Sequence, residues 1–542
     1  MCTMAISIYW DMDPFKEATS KTLEVFTFGN ITLALAALVV AQCVYQIVYY
    51  RFFHPLRHYP GPFWASVTRL WGACHFIKGD KLDLEWHAIK KYGPVIRTSP
   101  TMLLVADSTL MPVIYHRRDT KARFYLSEMF ETSGSLVIRD PAKHAAHRRL
   151  ISATYSMSNI KRMEPLLDKH ILHFLQKLDT DYAQNAKPMD FSTWAAYLSY
   201  DTVTDLGFRN PLGFIDSASD VGGLIYQFRL GMLLFATSGY LYPFFRWLTT
   251  TWLKKWLIIR PEQALGFGVV MKRANEVLEE RKRALEEGRT VKAVKGDASY
   301  DFLQAFMDTR TPEGEYLDNK TIRAEVFVIL GAGADGFSSL SSAFIAEVLS
   351  RPTVYQRVMA EIKAAAIAGE FSQPVPLFTE ITKNLPFFLA CMQEIFRLHP
   401  TGATQLPREI TPNDPELVLS GRKVPVGTEV TCNPWIINRD YNIYGDDAEV
   451  FNPDRWLGDP EKIKVYEKHS LTWGHGARVC LGRHMAQMML YKSLVTFLMY
   501  FEVSICEETP ETPKLESEIF GPVLGWKNVW LSLRKRENWE QQ

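Results

Sequence analysis

An uncharged stretch near the start of the chain restricts how its first fifty residues can fold. No Asp, Glu, Lys or Arg stands between Glu24 and Arg51, and the interval is rich in Leu, Val, Ala and Ile. A helix needs about 20 apolar residues to cross the hydrocarbon core of a bilayer, and the interval is long enough. It predicts one transmembrane anchor at residues 25–50, after a short tail at residues 1–24. A buried core helix is the alternative.

A proline-rich segment follows this stretch at residues 51–66 and includes His54-Pro-Leu-Arg-His-Tyr-Pro-Gly-Pro62. Because proline cannot continue a helix and stiffens a connection, the segment predicts a short semi-rigid linker. Residues 67–542 then form the catalytic body. The two flanks of the anchor carry two Lys or Arg residues each, so the positive-inside rule does not decide its orientation.

The charge and the cysteine content of the chain exclude several classes of protein. A formal net charge of +1 argues against a nucleic-acid partner, because such a binder shows a strongly basic domain. The seven cysteines are odd in number and form no CxxC pair, which argues against a disulfide framework and a zinc ribbon. This cysteine usage favours a reducing compartment, so we expect the body to face the cytosol.

Hydrophobic spacing predicts a body that is mainly α-helical, with small β-sheets at its margins. Helical periodicity occurs at residues 160–178, 262–288, 319–350 and 385–398. Strand-like alternation occurs at residues 95–100, 102–107, 418–427 and 528–536. Turn signals at Gly521-Pro522 and Gly525 precede the last strand. No glycine-rich phosphate loop follows a strand, so electrons from a nicotinamide cofactor would need a separate reductase.

The segment at residues 229–259 is strongly apolar and aromatic, with Arg246, Lys254 and Lys255 among its residues. One interpretation is a pair of core helices joined by a turn. The other interpretation is a second surface that dips into the membrane beside a substrate entrance.

One cysteine lies in an unusual sequence context, Trp473-Gly-His-Gly-Ala-Arg-Val-Cys-Leu-Gly482. Glycines permit a tight turn whose amides can point at the sulfur of Cys480, and Arg478 can neutralise a carboxylate of a cofactor. The sequence that follows is helical, so the cysteine would lie just before a helix N-terminus, where anions are stabilised. These features favour a thiolate that ligates haem iron.

Three other interpretations of Cys480 stay open from the residues alone. A lone cysteine in a glycine-rich turn is usually structural. His475 and His484 could join it in a zinc site, although their spacing matches no familiar zinc pattern. A nucleophilic cysteine would need a positioned histidine, which a sequence does not exclude.

The loop resembles the cysteine signature of the cytochrome P-450 family, F-x-x-G-x-R-x-C-x-G. The defined positions hold Trp473, Gly476, Arg478, Cys480 and Gly482, and Trp473 replaces phenylalanine. The resemblance implies haem b with Cys480 as the metal ligand, and the other four residues in the cofactor-binding loop. It also implies the cytochrome P-450 fold, preceded by one transmembrane helix.

Two further motifs occur in the order of the family. Glu394-Ile-Phe-Arg397 matches E-x-x-R, and Arg455-Trp456 ends a match to P-x-R-[WF]. Alone, E-x-x-R carries little information, because ion pairs at this spacing are common on helices. With the cysteine loop downstream, the resemblance implies that Glu394, Arg397 and Arg455 form a buried ion network that supports this loop.

Residues 140–149 resemble another helix of the family, which carries the motif W-x-x-x-R. His144 stands in the tryptophan position and Arg148 in the arginine position. By this match, Arg148 and His144 contact the haem propionates. Arg408 is a further candidate on a looser alignment.

The central helix departs from the family at one position. Its pattern [AG]-G-x-[DE]-T-[TS] is matched by Ala332-Gly-Ala-Asp-Gly-Phe337, so Asp335 aligns with the acid and Gly336 replaces the threonine. The resemblance implies that Asp335 takes part in proton delivery. We favour the hypothesis that a substrate hydroxyl or a trapped water fills the space left by glycine. The alternatives are that Ser339, one turn on, substitutes for the threonine, or that the enzyme rearranges, cyclises or couples its substrate.

By resemblance to fungal microsomal members, the chain is a haem-thiolate monooxygenase that oxidises a lipophilic small molecule in secondary-metabolite biosynthesis. It would use dioxygen and electrons from NADPH–cytochrome P-450 reductase, as a single-pass protein of the endoplasmic reticulum membrane. A haem-thiolate enzyme of rearrangement, cyclisation or coupling is one alternative, and a non-catalytic haem sensor or carrier is another. The expected pocket walls are residues 101–130, 229–245, 327–337, 402–406 and 519–526.

Overall fold

The computed structural model describes residues 28–130, 134–289 and 300–536. These residues form a mainly helical body with small sheets, which confirms the predicted fold class. The predicted tail at residues 1–24 and the first three residues of the predicted anchor lie outside the described residues.

The helices are numbered here in chain order. The α-helices are α1 Phe28–Val48, α2 Phe63–Val67, α3 Leu70–Lys78, α4 Lys81–Tyr92, α5 Met111–Ile114, α6 Pro141–Ile151, α7 Met157–Arg162, α8 Glu164–Leu178, α9 Phe191–Phe208, α10 Phe214–Ser217, α11 Leu224–Tyr240, α12 Tyr242–Thr249, α13 Lys254–Leu257, α14 Phe267–Glu286, α15 Phe302–Asp308, α16 Asn319–Leu349, α17 Pro352–Ile367, α18 Phe378–Asn384, α19 Pro386–Leu398, α20 Pro434–Ile437, α21 Tyr441–Tyr444, α22 Pro460–His469 and α23 Arg483–Tyr500. The longest of them, α16, is the central helix against which α9 and α14 pack.

The strands form two small sheets and two hairpins. The strands are β1 Val95–Ser99, β2 Met102–Val105, β3 Thr120–Lys121, β4 Met189–Asp190, β5 Arg408–Glu409, β6 Val418–Leu419, β7 Arg422–Lys423, β8 Glu429–Thr431, β9 Phe501–Ile505, β10 Glu516–Phe520, β11 Val523–Lys527 and β12 Trp530–Lys535. One sheet has the order β1-β2-β8-β5-β3 and the other β4-β12-β9, while β10–β11 and β6–β7 are hairpins.

Three sequence predictions were wrong in detail, and in two of them a proline or a glycine interrupts the predicted element. The helix predicted at residues 160–178 is two helices, since Pro165 in the first turn of α8 has no N–H to continue α7. The strand predicted at residues 418–427 is the β6–β7 hairpin. Its turn residues Ser420 and Gly421 have φ of 50° and 73°, as a tight hairpin turn requires. Gly525, predicted as a turn residue, lies inside β11.

The N-terminal helix is long and apolar enough to span a membrane. The apolar window within Asn30–Phe53 has no part buried against the protein, as expected of an anchor. Helix α16 also has a window of sufficient length and hydropathy, but it is 76% buried, as a core helix is. The helical segment ends where His54 turns to an extended conformation before Pro55. The proline-rich segment that follows packs on the body, because Leu56 is fully buried there.

The apolar segment at residues 229–259 divides into a packed part and an exposed part. Helix α11 packs against α3 and α14. In contrast, Trp247, Trp252 and Trp256 in and around α12 and α13 are 60%, 75% and 69% exposed. The interpretation of this segment as core helices therefore holds for α11 and not for α12 and α13.

A buried ion network lies beneath the cysteine loop. The Glu394 carboxylate on α19 accepts hydrogen bonds from Arg397 at 2.6 and 2.8 Å and from Arg455 at 3.1 Å. The Trp456 indole N–H also donates to this carboxylate, at 2.8 Å. Glu394 and Arg397 are at most 1% exposed, so every charge in the network depends on its partners for stabilisation.

The network reaches the cysteine loop through one asparagine. Arg397 donates to the Asn438 carbonyl oxygen at 2.9 Å. The Asn438 side chain accepts from the Leu471 N–H at 2.9 Å and donates to the Thr472 hydroxyl at 2.9 Å. Thr472 precedes Trp473, the first residue of the cysteine motif. The ion network therefore positions the start of the loop.

We expect Glu394→Gln to destabilise the protein by about 3–5 kcal/mol, because it leaves two buried guanidinium groups without their shared carboxylate. Thermal unfolding of the purified protein measures this loss. The matched control is Glu370→Gln, which removes an exposed carboxylate 3.4 Å from the Lys383 ammonium and should cost less than about 1 kcal/mol. Equal losses in the two variants would contradict the assigned role of the network.

Candidate active site

The cysteine loop folds through two glycines in the left-handed region. Gly474 and Gly476 have φ of 78° and 64°, values that side chains rarely tolerate. A Cβ on Gly476 would also collide with the carbonyl oxygen of Tyr115. The loop closes where the Cys480 N–H donates to the Trp473 carbonyl oxygen at 2.7 Å. The Trp473 ring packs edge-on against Phe396, with ring centroids 5.1 Å apart.

The sulfur of Cys480 faces the N-terminus of α23. Burial raises the pKa of the Cys480 thiol, while the N–H groups of Gly482 and Arg483 and the charges of Arg148 and Arg483 lower it. The residue nevertheless retains exposed surface, so the protein does not enclose it completely. These donors are those that a thiolate needs, and a bound cation would stabilise it further.

A cluster of buried cations lies beside the loop. Arg478 and Arg408 share the carboxylate of Asp119, at Nε–Oδ distances of 2.9 and 2.8 Å. Arg478 also donates to the carbonyl oxygens of Ile138 and Arg139 at 3.0 and 3.1 Å. Asp119 and Arg408 were not among the firm sequence predictions. The burial of both charges could be recognised only after the fold was known.

Lys121 and His144 complete this cluster. Burial and repulsion from Arg478 and Arg408 hold the pKa of Lys121 well below its usual range. Burial, with the charges of Arg478, Lys121 and Arg148, lowers the pKa of His144 to about 3, so its imidazole is neutral near pH 7. In the described part of the chain, Asp119 is the one carboxylate paired with Arg408 and Arg478. The cluster thus has excess positive charge, which would be neutralised by an acidic group.

On the central helix, Asp335 is buried and paired with a residue of α11. Arg229 donates to Oδ1 of Asp335 from Nε at 3.3 Å and from a terminal nitrogen at 3.2 Å. The other carboxylate oxygen has no hydrogen-bond partner among the described residues. Burial raises the pKa of Asp335, whereas Arg229 lowers it and Asp220 raises it. Arg229 was not predicted from the sequence, which carries no local signal for this pair.

Open space adjoins Gly336, the residue that follows this acid. A Cβ built at Gly336 would meet no heavy atom within 4 Å. The two nearby hydroxyls are directed elsewhere, since Ser338 donates to the Asp335 carbonyl oxygen and Ser339 to the Leu524 carbonyl oxygen. This geometry disfavours substitution by Ser339 and leaves room for a water or a substrate group.

An apolar cavity of about 50 Å³ lies against the same helix. Its walls include Phe130, Phe228, Phe235, Phe267, Phe327 and Ala332. Parts of three predicted wall ranges contribute to it. Phe267 and Met271, from the start of α14, lie outside those ranges, although the helical periodicity at residues 262–288 had marked an apolar face there. Walls of this kind favour apolar groups over polar ones.

The family is shown by comparison with known proteins. The family model described as Cytochrome P450 matches residues 68–528, most of the chain. The chain belongs to the cytochrome P450 family. Quiannulatic acid synthase of Emericella variicolor is 91% identical over 531 residues, which cover 98% of this chain and 100% of that protein.

More distant relatives agree with this membership. Cytochrome P450 monooxygenase cicH of Emericella nidulans is 29% identical over 487 residues, 88% of this chain and 94% of that protein. Cytochrome P450 monooxygenase pkfB of the same species is 29% identical over 498 residues, 89% of this chain and 92% of that protein. This P450 is therefore an oxidoreductase of the monooxygenase type that acts in fungal secondary metabolism.

The residues present fit the haem-thiolate cofactor of the family. Cys480 would supply a sulfur ligand, and the cations Arg148, Arg408 and Arg478 would pair with the acidic groups of a haem. When bound, this cofactor supplies the chemistry that activates dioxygen. A zinc site with His475 and His484 gains no support, since no group of three or more potential metal-ligating side chains occurs in the described ranges.

We expect Gly336→Thr to bind haem normally but to give about tenfold less product per NADPH consumed, because the threonine fills the open space in which a water or the substrate would otherwise bind. Product per NADPH consumed is the measurement, and Gly336→Ala, which adds one methyl group, is the matched control. An increase of product per NADPH in Gly336→Thr would instead mean that the wild type merely lacks a useful hydroxyl.

We expect Arg229→Gln to raise the pKa of Asp335 further, because the cation that favours the ionised carboxylate is removed. Asp335 then becomes ionised at a higher pH. In a plot of turnover rate against pH, the acidic limb should shift to higher pH by the same amount. The control is Arg273→Gln on α14, whose partners are the surface residues Glu276 and Glu280. Superimposable pH profiles for wild type and Arg229→Gln would disprove the coupling.

Proposed function

We propose that this P450 oxidises an apolar substrate to a carboxylic acid, and that the acid is quiannulatic acid. The observation that carries the proposal is the 91% identity to quiannulatic acid synthase over nearly the whole of both chains. The aromatic cavity beside α16 supports it, because its walls offer an apolar molecule almost no polar contact.

Formation of an acid from a methyl group requires three successive two-electron oxidations at one carbon. Each step consumes one dioxygen, two electrons and two protons. Formation of the alcohol and of the acid each releases one water, and formation of the aldehyde releases two. The protein has to hold neutral intermediates while it imports protons. In this proposal Asp335, which is buried and paired with Arg229, passes protons, and the space at Gly336 admits a water or the hydroxyl of an intermediate.

The proposed cofactor is haem b, with Cys480 as the iron ligand. In this proposal, Arg148, Arg478 and His144 surround the propionates, and Trp473, Gly476 and Gly482 shape the loop. Neutral His144 would donate a hydrogen bond rather than a charge. The electrons come from NADPH–cytochrome P450 reductase.

The proposed location is the endoplasmic reticulum membrane, with α1 as a single-pass anchor and the catalytic domain in the cytosol. The exposed tryptophans of α12 and α13 add a second membrane contact, since Lys254 and Lys255 stand beside them as expected at a lipid interface. Helix α12 starts beside the segment that follows the proline-rich linker, because the Arg69 guanidinium lies 4.2 Å from the ring centroid of Tyr242.

The proposal is tested by replacing the gene for quiannulatic acid synthase in Emericella variicolor with one that encodes this chain. We expect quiannulatic acid to be formed, as measured by mass spectrometry, and to be lost in Cys480→Ala. The matched control Cys506→Ala removes a half-buried thiol outside the loop and should leave product formation unchanged.

The state of the cofactor is measured in the same membranes. Reduced wild type should give the carbon-monoxide difference spectrum of a thiolate-ligated haem, and Cys480→Ala should not. Haem-loaded wild type that forms no quiannulatic acid would disprove the proposed product. Product formation without reductase or dioxygen would favour a rearrangement instead.

A further inference from the structure

A second cavity, of about 450 Å³, lies at the N-terminal end of α16. Two residues line both this cavity and the apolar cavity, Met271 on α14 and Ala324 on α16. The two spaces are therefore neighbours that share these side chains as a wall. These two side chains therefore separate a molecule held in the apolar cavity from the second cavity, which we call the vestibule.

The vestibule is positively charged. Arg260, Lys320 and Arg323 line it, against the single carboxylate of Glu262. The side chains of Arg260 and Arg323 form no ion pair with any residue in the described ranges, so both charges are available to a ligand. The first turn of the 31-residue helix α16 adds its positive dipole end at the same place. An anion is attracted to such a cavity, whereas an uncharged molecule is not.

We propose that the vestibule is the exit site for the acid product and binds its carboxylate through Arg260 and Arg323. This inference rests on the proposed function, in which the final product is a carboxylic acid. Arginine is suited to the role because its planar guanidinium can pair with both oxygens of a carboxylate.

The proposal also explains how a sequence of oxidations is completed before release. The hydrocarbon, alcohol and aldehyde stages are uncharged and gain no stabilisation from the arginines. They remain in the apolar cavity, where burial of their surface is favourable. Only the last oxidation creates an ionised group near neutral pH, and that group is drawn past Met271 and Ala324 into the vestibule.

The test measures equilibrium binding of quiannulatic acid and of its methyl ester to the haem-loaded, oxidised protein, without reductase. In the variant Arg260→Gln/Arg323→Gln, we expect the dissociation constant of the acid to rise about tenfold and that of the ester to stay unchanged. Added salt should weaken binding of the acid to wild type, and should affect the variant much less. Arg323→Lys, which keeps the charge, should retain most of the affinity.

The control variant is Lys272→Gln, which removes an exposed cation next to Met271 that does not line the vestibule. It should bind the acid as wild type does. The proposal is overturned if the double variant binds both the acid and the ester more weakly, or if it binds the acid as tightly as wild type does. It is also overturned if binding of the acid to wild type does not depend on salt. Failure of the proposed function is seen separately, as absence of the acid in the gene-replacement experiment, since the binding measurement requires no turnover.

Discussion

The carboxylate of Glu394 is the interaction on which the rest of the site depends. It is fully buried, and it is the shared acceptor for Arg397, Arg455 and the Trp456 indole. A buried charge is tolerated only when its partners satisfy it, so the elements that carry these residues have one favourable arrangement. Through Asn438, that arrangement fixes the start of the cysteine loop and hence the position of Cys480 relative to α23.

Three places in the protein use positive charge at different depths. Beside the cysteine loop, Arg408 and Arg478 share one carboxylate, and the remaining positive charge suits an acidic cofactor. On α11, Arg229 pairs with Asp335. Burial raises the pKa of Asp335, and the charge of Arg229 lowers it. At the start of α16, the vestibule arginines face solvent and suit a passing anion. Burial decides which cations need a permanent partner, because the cost of an unpaired charge rises as water is excluded.

Glycine at position 336 is best understood together with the apolar cavity. Glycine at this position destabilises helix α16 by about 1 kcal/mol relative to alanine. It also leaves open space beside the buried carboxyl of Asp335. The nearby serine hydroxyls are bonded to backbone carbonyl oxygens. This geometry favours a water, or the molecule being oxidised, as the source of the hydroxyl that the family places on this helix.

The sequence by itself determined the fold class and the apolar helix α1 through hydrophobic period, and it determined the family through resemblance of the motifs that contain Cys480, Glu394, Arg397 and Arg455. It did not reveal that Asp119 pairs with Arg478, 359 positions away, or that Arg229 pairs with Asp335. Nor did it reveal that α14 and α16 together build a cationic vestibule beside an apolar cavity. Only the tertiary structure decided these contacts, since the burial and the partner of a charge depend on which distant elements pack around it.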